Sequence, residues 1–194
     1  SHPLPNETMG FHTFDAERAD RLEDAAWRYR YLSREELLAA LSVTGNDVVA
    51  DLGSGTGFYT DDVAPHAKAV HAVDVQSAMH DRYREKGLPA NVETVTSDVE
   101  SLPLGTDQLD AAFSTMTYHE FASPDAIEQV ARVVRPGGRF VIADWSADGD
   151  EDAGPPVDER YTAADAVEAL REAGFTIDRE TTRIETFLLV ARAP

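Results

Sequence analysis

The chain has 194 residues, of which 42% are hydrophobic, so it can form one globular domain with a substantial core and is not generally disordered. It contains no cysteine, which excludes disulfides, zinc–thiolate sites, iron–sulfur clusters and thiol catalysis. The 36 acidic and 17 basic residues give a net charge of −19, a field that repels nucleic-acid phosphates and anionic membranes, and we expect neither as a partner.

The basic residues are almost all arginines, since Lys68 and Lys86 are the only lysines. An acidic surplus of this size destabilises a folded chain unless salt screens it. We predict a halophilic protein that works in molar salt, with an ordinary acidic protein as the alternative. No apolar run approaches the roughly 20 residues that span a bilayer. The first residues lack the basic and apolar regions of a signal peptide, so a cytoplasmic location is expected.

The first 44 residues are expected to form a helical extension. Asp15–Arg30 has the pattern of one highly charged helix that Asp15 can cap. Ser33 and Glu36 form a capping box that begins a second helix, and leucines at 37, 38 and 41 give that helix an apolar stripe.

From residue 45 onward, short apolar segments alternate with helical ones. Strands are predicted at 48–50, 69–73, 92–96, 109–113 and 140–143, with helices at 58–66, 77–86 and 124–135 between them. A last helix closes at Gly174, and strands at 175–182 and 186–190 are close enough to pair as an antiparallel hairpin. This alternation implies a doubly wound α/β sheet that binds ligands at the carboxyl ends of its parallel strands.

The loop after the first strand is rich in glycine, and Asp51–Gly57 reads Asp-Leu-Gly-Ser-Gly-Thr-Gly. The glycines allow a tight turn and the close approach of a ligand to the backbone, and a bare turn is the alternative. A dinucleotide fingerprint, G-x-G-x-x-G, needs glycine at position 58, which is phenylalanine. The spacing here is G-x-G-x-G, with an acid two residues before the first glycine.

This combination resembles motif I of the class I S-adenosylmethionine-dependent methyltransferases. Other segments match the family in order and place, because Asp74 ends the second strand, Asp98 follows the third and Pro136–Gly138 precedes the fifth. The resemblance covers about residues 40–192, and the terminal hairpin fits the family's last two strands. The short link from Asp98 to the fourth strand looks most like the small-molecule group that includes quinone-biosynthesis methyltransferases.

The resemblance implies a Rossmann-like seven-stranded sheet, mostly parallel, and S-adenosyl-L-methionine as the cofactor. No metal is expected, because no group of acids in the sequence clearly matches a metal-dependent catechol-type site. It places Asp51 at the cofactor's ammonium end, Asp74 at the ribose hydroxyls and Asp98 at the adenine amino group. Val75 or Met79 packs on the adenine face, unless Met79 is plain core. The cofactor-binding residues expected on this basis are Asp51, Gly53, Ser54, Gly55, Gly57, Asp74, Val75, Met79, Asp98, Val99 and Ser114.

The fourth strand runs into residues 114–121, the family's motif IV region beside the methyl group. His119 is the best candidate base because an ordinary histidine pKa of about 6.5 lies near neutrality. Glu120 can orient it, and Tyr118 can hydrogen-bond the substrate. The alternative is that His119 only caps the strand end or touches the cofactor. The Asn/Asp-Pro-Pro-Tyr/Phe signature of nucleic-acid amino-methyltransferases is absent, which argues against a DNA or RNA base as substrate.

Two segments are candidates for covering the pocket. N-terminal extensions in the family often close over the site, so residues 1–44 are a candidate lid and His12 a second candidate base. A helix packed on the sheet edge is the alternative. The acidic loop 146–156, after Asp144 and Trp145, is either solvated or part of the substrate site.

We therefore predict methyl transfer from S-adenosylmethionine to a small-molecule acceptor, catalysed by a domain at residues 45–194. One alternative is a nicotinamide-dependent oxidoreductase, which the loop spacing and the terminal hairpin disfavour. The other is a regulatory module that binds the cofactor without turnover.

Overall fold

The computed structural model describes residues 16–194. It begins with three short helices, α1 (Ala16–Leu22), α2 (Ala25–Tyr31) and α3 (Arg34–Leu41). The prediction of a single helix over Asp15–Arg30 is wrong, because two helices occupy this range. The Asp24 carboxylate accepts a hydrogen bond from the Trp27 amide at 3.2 Å and so caps a new helix. The expected capping box of Ser33 and Glu36 is present at the start of α3.

The centre of the fold is a seven-stranded sheet. Its strands are β1 (Val48–Leu52), β2 (Ala69–Asp74), β3 (Val92–Thr96), β4 (Leu109–Thr115), β5 (Val134–Trp145), β6 (Thr176–Thr182) and β7 (Thr186–Arg192). The order across the sheet is β3-β2-β1-β4-β5-β7-β6. The first five strands are parallel, and β7 is antiparallel to both β5 and β6. The expected doubly wound, Rossmann-like sheet with an antiparallel terminal hairpin is confirmed.

Further helices of the described chain alternate with the strands. They are α4 (Phe58–Val63), α5 (Ser77–Lys86), α6 (Tyr118–Phe121), α7 (Pro124–Val133) and α8 (Ala163–Glu172). Ser123 Oγ accepts from the Ala126 amide at 3.1 Å and begins α7, while Thr162 and Asp165 form a capping box at α8. Local side-chain caps therefore mark where α7 and α8 begin.

The boundary between α7 and β5 differs from expectation. The sequence pattern extends the helix to Arg135, but α7 ends at Val133 and β5 begins at Val134. Val134 pairs with Leu109, after which the register shifts so that Ala111 pairs with Arg139. The Pro-Gly-Gly segment is thus an irregularity inside the strand, because β4 offers a pairing partner on both sides of it.

Apolar side chains project from both faces of the sheet and pack against helices there. Leu52 and Phe140 belong to a buried cluster with α7 and α8, whereas Val49 and Phe113 belong to a second cluster with α3, α4 and α5. Since both faces are covered, the carboxyl edge of β1–β5 is where loops remain open to a ligand. None of the helices within residues 16–194 has the length and apolar character that crossing a bilayer requires.

Candidate functional site

A cavity of about 1070 Å³ lies at the carboxyl edge of the parallel strands. Its walls include the glycine loop after β1, the ends of β2 to β5, and residues of α1 and α2. Pockets for one drug-sized ligand measure about 300–1,000 Å³. The cavity can therefore hold a cofactor and a second small molecule side by side.

The glycine loop forms one end of the cavity, where Gly53, Ser54 and Gly55 line the wall. Gly53 has a φ of +83°, and a Cβ there would lie 2.4 Å from Thr117 Oγ1. Gly57 has a φ of +85° and does not line the cavity, and its Cβ would lie 2.3 Å from the Tyr83 ring. The third glycine is thus required by helix packing rather than by the cavity.

Asp51 lies behind the glycine loop and is 1% exposed, so it does not line the cavity wall. Thr60 Oγ1 donates to its Oδ2 at 2.7 Å, while its Oδ1 is buried without a hydrogen-bond partner. Burial raises the pKa of Asp51 to about 7, although the Thr60 hydrogen bond and the Arg28 charge act in the opposite direction. An added positive charge nearby would stabilise its ionised form.

The acids after β2 and β3 both line the cavity. The Asp74 carboxylate accepts from the Gly55 amide at 2.8 Å and from the Gln76 amide at 2.9 Å, which ties the end of β2 to the glycine loop. Asp98 accepts from the Glu100 amide at 2.9 Å. Each carboxylate oxygen retains a free lone pair, so both acids can still accept from a ligand.

Apolar residues line the cavity together with these acids. They are Val75, Met79 and Val99. Val75 is 54% exposed, an unusual state for a large apolar side chain, whereas Met79 is buried. Val75 is therefore free to cover the face of a planar ring.

Besides Asp51 and Gly57, two further residues proposed from sequence do not reach the cavity. Ser114 is fully buried, and its Oγ lies 2.8 Å from Thr117 Oγ1, so it supports Thr117 rather than facing a ligand. Tyr118 is 1% exposed and packs in the core against Phe121 and Tyr161, with ring centroids 5.6 and 5.7 Å away. A direct hydrogen bond from Tyr118 to a substrate does not fit this position. The other candidate base, His12, lies outside the described residues.

His119 lines the cavity beside the end of β4, and Asp144 at the end of β5 orients it. The His119 Nδ1 lies 3.0 Å from Asp144 Oδ1, and the His119 amide donates to Oδ2 at 2.7 Å. Because an ionised carboxylate only accepts, Nδ1 carries the proton and Nε2 is left to accept one. Glu120, the expected orienting group, instead has Oε1 4.0 Å from Nε2 and pairs with Arg18 at 3.3 Å.

The groups around His119 shift its pKa in opposite directions. Burial lowers this pKa, but the hydrogen bond and charge of Asp144, together with the charges of Glu120 and Glu159, raise it by more, so the net shift is upward. Asp144 is completely buried and also accepts from the Trp145 amide at 2.8 Å. This arrangement holds the imidazole ring in one orientation at the cavity wall.

Aromatic side chains line the cavity at its β4–β5 end, and most were missed from sequence. Trp27 from α2 lies 6.0 Å from Trp145, measured between ring centroids, and Phe121 and Tyr161 complete the wall. Gly154 and Pro155 also line it, so part of the acidic loop 146–156 belongs to the site. The loop is anchored by Arg160, which donates to Glu185 at 2.9 Å and to the Pro155 carbonyl at 2.8 Å.

Helix α1 spans the cavity through charged contacts on its two sides. Arg18 pairs with Glu120 on α6, and Asp20 pairs with Arg82 on α5 at 2.8 Å. Glu23, just after α1, accepts from Thr56 in the glycine loop at 2.5 Å and from Lys86 at 2.9 Å. The two ion pairs of α1 are partly exposed to solvent, so each adds little stability, whereas Thr56 is buried.

Several buried polar atoms in the described chain lack partners, and three of them belong to residues that line the cavity. They are Arg28 Nε, Ser54 Oγ and Gln76 Oε1. Buried polar groups are normally hydrogen-bonded, so these atoms indicate a polar ligand with both donors and acceptors. A nucleoside that carries a zwitterionic amino-acid tail meets this requirement. Among the described residues, Asp150, Asp152 and Glu185 lie close enough together to hold a metal ion, and they do not line the cavity.

Comparisons with known proteins agree with this geometry. Residues 50–142 match the family model described as a methyltransferase domain. The crystal structure of a SAM-dependent methyltransferase from Aquifex aeolicus superposes with a TM-score of 0.84 at 28% sequence identity. That alignment covers 94% of this chain and 100% of the other.

Curated relatives match over shorter stretches. A demethylmenaquinone methyltransferase from Mycobacterium sp. (strain JLS) is 32% identical over 58% of this chain. A biotin biosynthesis bifunctional protein from Cellvibrio japonicus is 36% identical over 48% of it. The alignments cover 48% and 18% of these two proteins, so the chain spans half of their length or less.

Proposed function

Since the chain belongs to the class I S-adenosylmethionine-dependent methyltransferases, we propose that it transfers the cofactor's methyl group to a small-molecule acceptor, with His119 as the general base. The observation that carries this proposal is the His119–Asp144 pair, which lies in the same cavity as the glycine loop and the two strand-end acids. Cofactor residues and a candidate base thus share one wall.

The proposed cofactor residues lie at or after the ends of β1, β2 and β3, on one side of the switch point between β1 and β4 where the strand order reverses. Asp74 accepts from the ribose hydroxyls and Asp98 from the adenine amino group, with Val75 against the adenine ring. Gly53 and Ser54 face the amino-acid tail, and Asp51 acts on its ammonium group from behind the loop. When bound, the cofactor supplies a methyl group on a sulfonium, which is already a good leaving group.

The chain's own contribution to the reaction is alignment and proton removal. Holding a nucleophile in line with the methyl group can lower the barrier by roughly 7–11 kcal/mol. His119 Nε2 takes the proton from an acceptor group that is protonated at the working pH, and Asp144 stabilises the imidazolium that forms. Such a base typically adds about 10²–10⁴-fold. The aromatic wall of Trp27, Trp145 and Phe121 positions the acceptor.

The names of relatives support a small acceptor. They include the demethylmenaquinone methyltransferase already described and a malonyl-[acyl-carrier protein] O-methyltransferase from Marinomonas, 30% identical over 67% of this chain. The net charge of −19 supports the same choice, because it disfavours nucleic acid, and it also supports a cytoplasm with molar salt.

The domain division is part of the proposal. Residues 45–194 form the catalytic domain, and residues 1–44 form an extension whose helix α1 is the lid. The ion pairs that α1 makes with α5 and α6, on opposite sides of the cavity, support a lid that opens without loss of the core.

A transfer assay tests the proposal. Methyl-labelled S-adenosylmethionine is incubated with a small-molecule extract and with the wild-type chain or the His119→Ala variant. We expect label in small organic products with the wild type and at least 100-fold less with the variant, while both bind S-adenosylhomocysteine equally. Label in nucleic acid, or binding of NADH in place of the cofactor, would contradict it.

A further inference from the structure

Arg28 on α2 is a buried cation at the cavity wall. It is 8% exposed and lines the cavity, and its guanidinium lies 4.7 Å from the Tyr59 ring centroid and 5.5 Å from that of Phe58. Its Nε has no hydrogen-bond partner. Among the side chains described from residue 18 onward, no carboxylate lies within ion-pair distance of it.

A charge in this position needs a counter-ion. Burial lowers the pKa of Arg28, while Tyr59 and the more distant charges of Asp51 and Glu23 act in the opposite direction. Burying a guanidinium without a hydrogen-bonded anion is costly. Aromatic rings supply only part of the compensation, because a cation–π contact contributes about 0.5–2 kcal/mol.

The other arginines that line the cavity are either paired with an acid or exposed. Arg18 pairs with Glu120, and Arg160 pairs with Glu185 and with backbone carbonyls. Arg21 is exposed and stacks on Trp27. Arg28 is therefore the arginine of this wall that combines burial with an unpartnered donor.

Arg28 and Asp51 lie near each other without forming an ion pair, and each has an unpartnered buried atom. An α-amino acid carries its ammonium and carboxylate on one carbon, so its carboxylate can pair with Arg28 at the cavity wall while its ammonium interacts electrostatically with Asp51 behind the glycine loop. We propose that Arg28 binds the carboxylate of the cofactor's methionine moiety and selects cofactors that retain this group. The assignment rests on the proposed function, because it takes S-adenosylmethionine as the ligand.

The binding site is then shared between two parts of the chain. Arg28 comes from α2, whereas Asp51 and the glycine loop come from β1 and the turn after it. Tyr59 on α4 fixes their relative position, because its hydroxyl donates to the carbonyls of Arg28 and Leu32 at 3.0 and 2.7 Å. Binding of the methionine carboxylate by Arg28 therefore connects the N-terminal helices to the cofactor.

Calorimetric binding of two ligands tests this assignment. One is S-adenosylhomocysteine, and the other is its decarboxylated form, which keeps the amino group. The wild-type chain is expected to bind the decarboxylated form about 10- to 150-fold more weakly, the range for a hydrogen bond between charged groups. Arg28→Met is expected to lose the same factor for S-adenosylhomocysteine while its affinity for the decarboxylated form stays within twofold.

Two controls separate this role from a structural one. Arg28→Lys keeps the charge and should recover part of the lost affinity. Arg30→Met removes an exposed arginine from the same helix, one that stacks on Tyr31 at 5.6 Å outside the cavity, and should bind both ligands as the wild type does. Equal wild-type affinity for the two ligands would overturn the assignment, and so would an Arg28→Met variant that weakens both equally. A wild-type chain that binds neither ligand would contradict the proposed function as well.

Discussion

His119 and Asp144 face each other across the ends of two neighbouring parallel strands, with Nδ1 and Oδ1 3.0 Å apart. Asp144 also accepts from the His119 backbone amide at 2.7 Å, so one carboxylate fixes both the main chain and the ring. His119 lines the same cavity as the proposed cofactor residues and the aromatic wall. We therefore expect an acceptor held by that wall to meet Nε2 of His119.

Removing the imidazole should slow methyl transfer without weakening cofactor binding. For His119→Ala we expect kcat to fall by about 10²–10⁴-fold, because the general base is lost. The dissociation constant for S-adenosylhomocysteine should stay within twofold. His66→Ala removes an exposed histidine that does not line the cavity and serves as the matched control. Full turnover in His119→Ala would discard the base assignment.

The pH dependence of kcat/KM should report the pKa of His119. The neutral ring is the active form, so activity rises with pH through this pKa, which lies above the ordinary 6.5. Asp144→Asn removes the charge that raises the pKa, and the acid limb should move to lower pH. Glu120→Gln should move it in the same direction by less, because Glu120 is 4.0 Å from Nε2. An acid limb that does not move in Asp144→Asn would contradict the pairing.

Gly57 should be intolerant of a side chain for reasons of packing. Alanine there would have a φ of +85° and a Cβ 2.3 Å from the Tyr83 ring. Left-handed strain of about 1–2 kcal/mol and overpacking of about 1–3 kcal/mol give an expected loss of roughly 2–5 kcal/mol, measured by urea unfolding. Gly45→Ala, with no atom within 4 Å of the new Cβ, should be neutral or slightly stabilising. Similar unfolding midpoints for the two variants would refute this role.

Cofactor binding should release a proton from Asp51 near neutral pH. With a pKa of about 7 in the free protein, Asp51 is mostly protonated at pH 6.5, and the cofactor's ammonium group favours its ionised form. The heat of S-adenosylhomocysteine binding should therefore be more exothermic in imidazole than in phosphate, because imidazole takes up the proton exothermically. Asp51→Asn should abolish that difference. The same heat in both buffers for the wild type would show that Asp51 is already ionised.

Salt should stabilise the fold, because the chain has a net charge of −19 that repels itself. We expect the thermal midpoint to rise between low and molar KCl, because screening reduces self-repulsion. A variant that carries Glu128→Lys, Glu168→Lys and Glu172→Lys, all exposed positions on α7 and α8, should depend less on KCl. A wild-type midpoint that is the same at low and molar salt would remove the halophilic hypothesis.

Local sequence sufficed for the sheet and for the acids at its edge. β2 is an apolar run and β3 is rich in valine and threonine, and each is followed by a turn, so Asp74 and Asp98 could be placed without knowledge of distant contacts. The antiparallel hairpin followed from the closeness of its two strands. Helix starts at Ser33, Ser123 and Thr162 followed from side-chain caps, which are local hydrogen bonds.

Contacts between distant residues could not be derived in this way. The pairing of His119 with Asp144 depends on the register of β4 and β5, in which Thr115 faces Ala143. Tyr118 and His119 are adjacent, yet successive residues on the α6 turn point in different directions, so one enters the core and the other the cavity. The approach of Arg28 to Asp51 depends on how α2 packs on α4.

The most direct test is a crystal structure of the chain with S-adenosylhomocysteine bound. We expect the adenosine between Asp74 and Asp98, the amino-acid tail at Gly53 and Arg28, and the sulfur directed toward His119. A ligand bound outside this cavity, or a sulfur facing away from the aromatic wall, would contradict methyl transfer at this site.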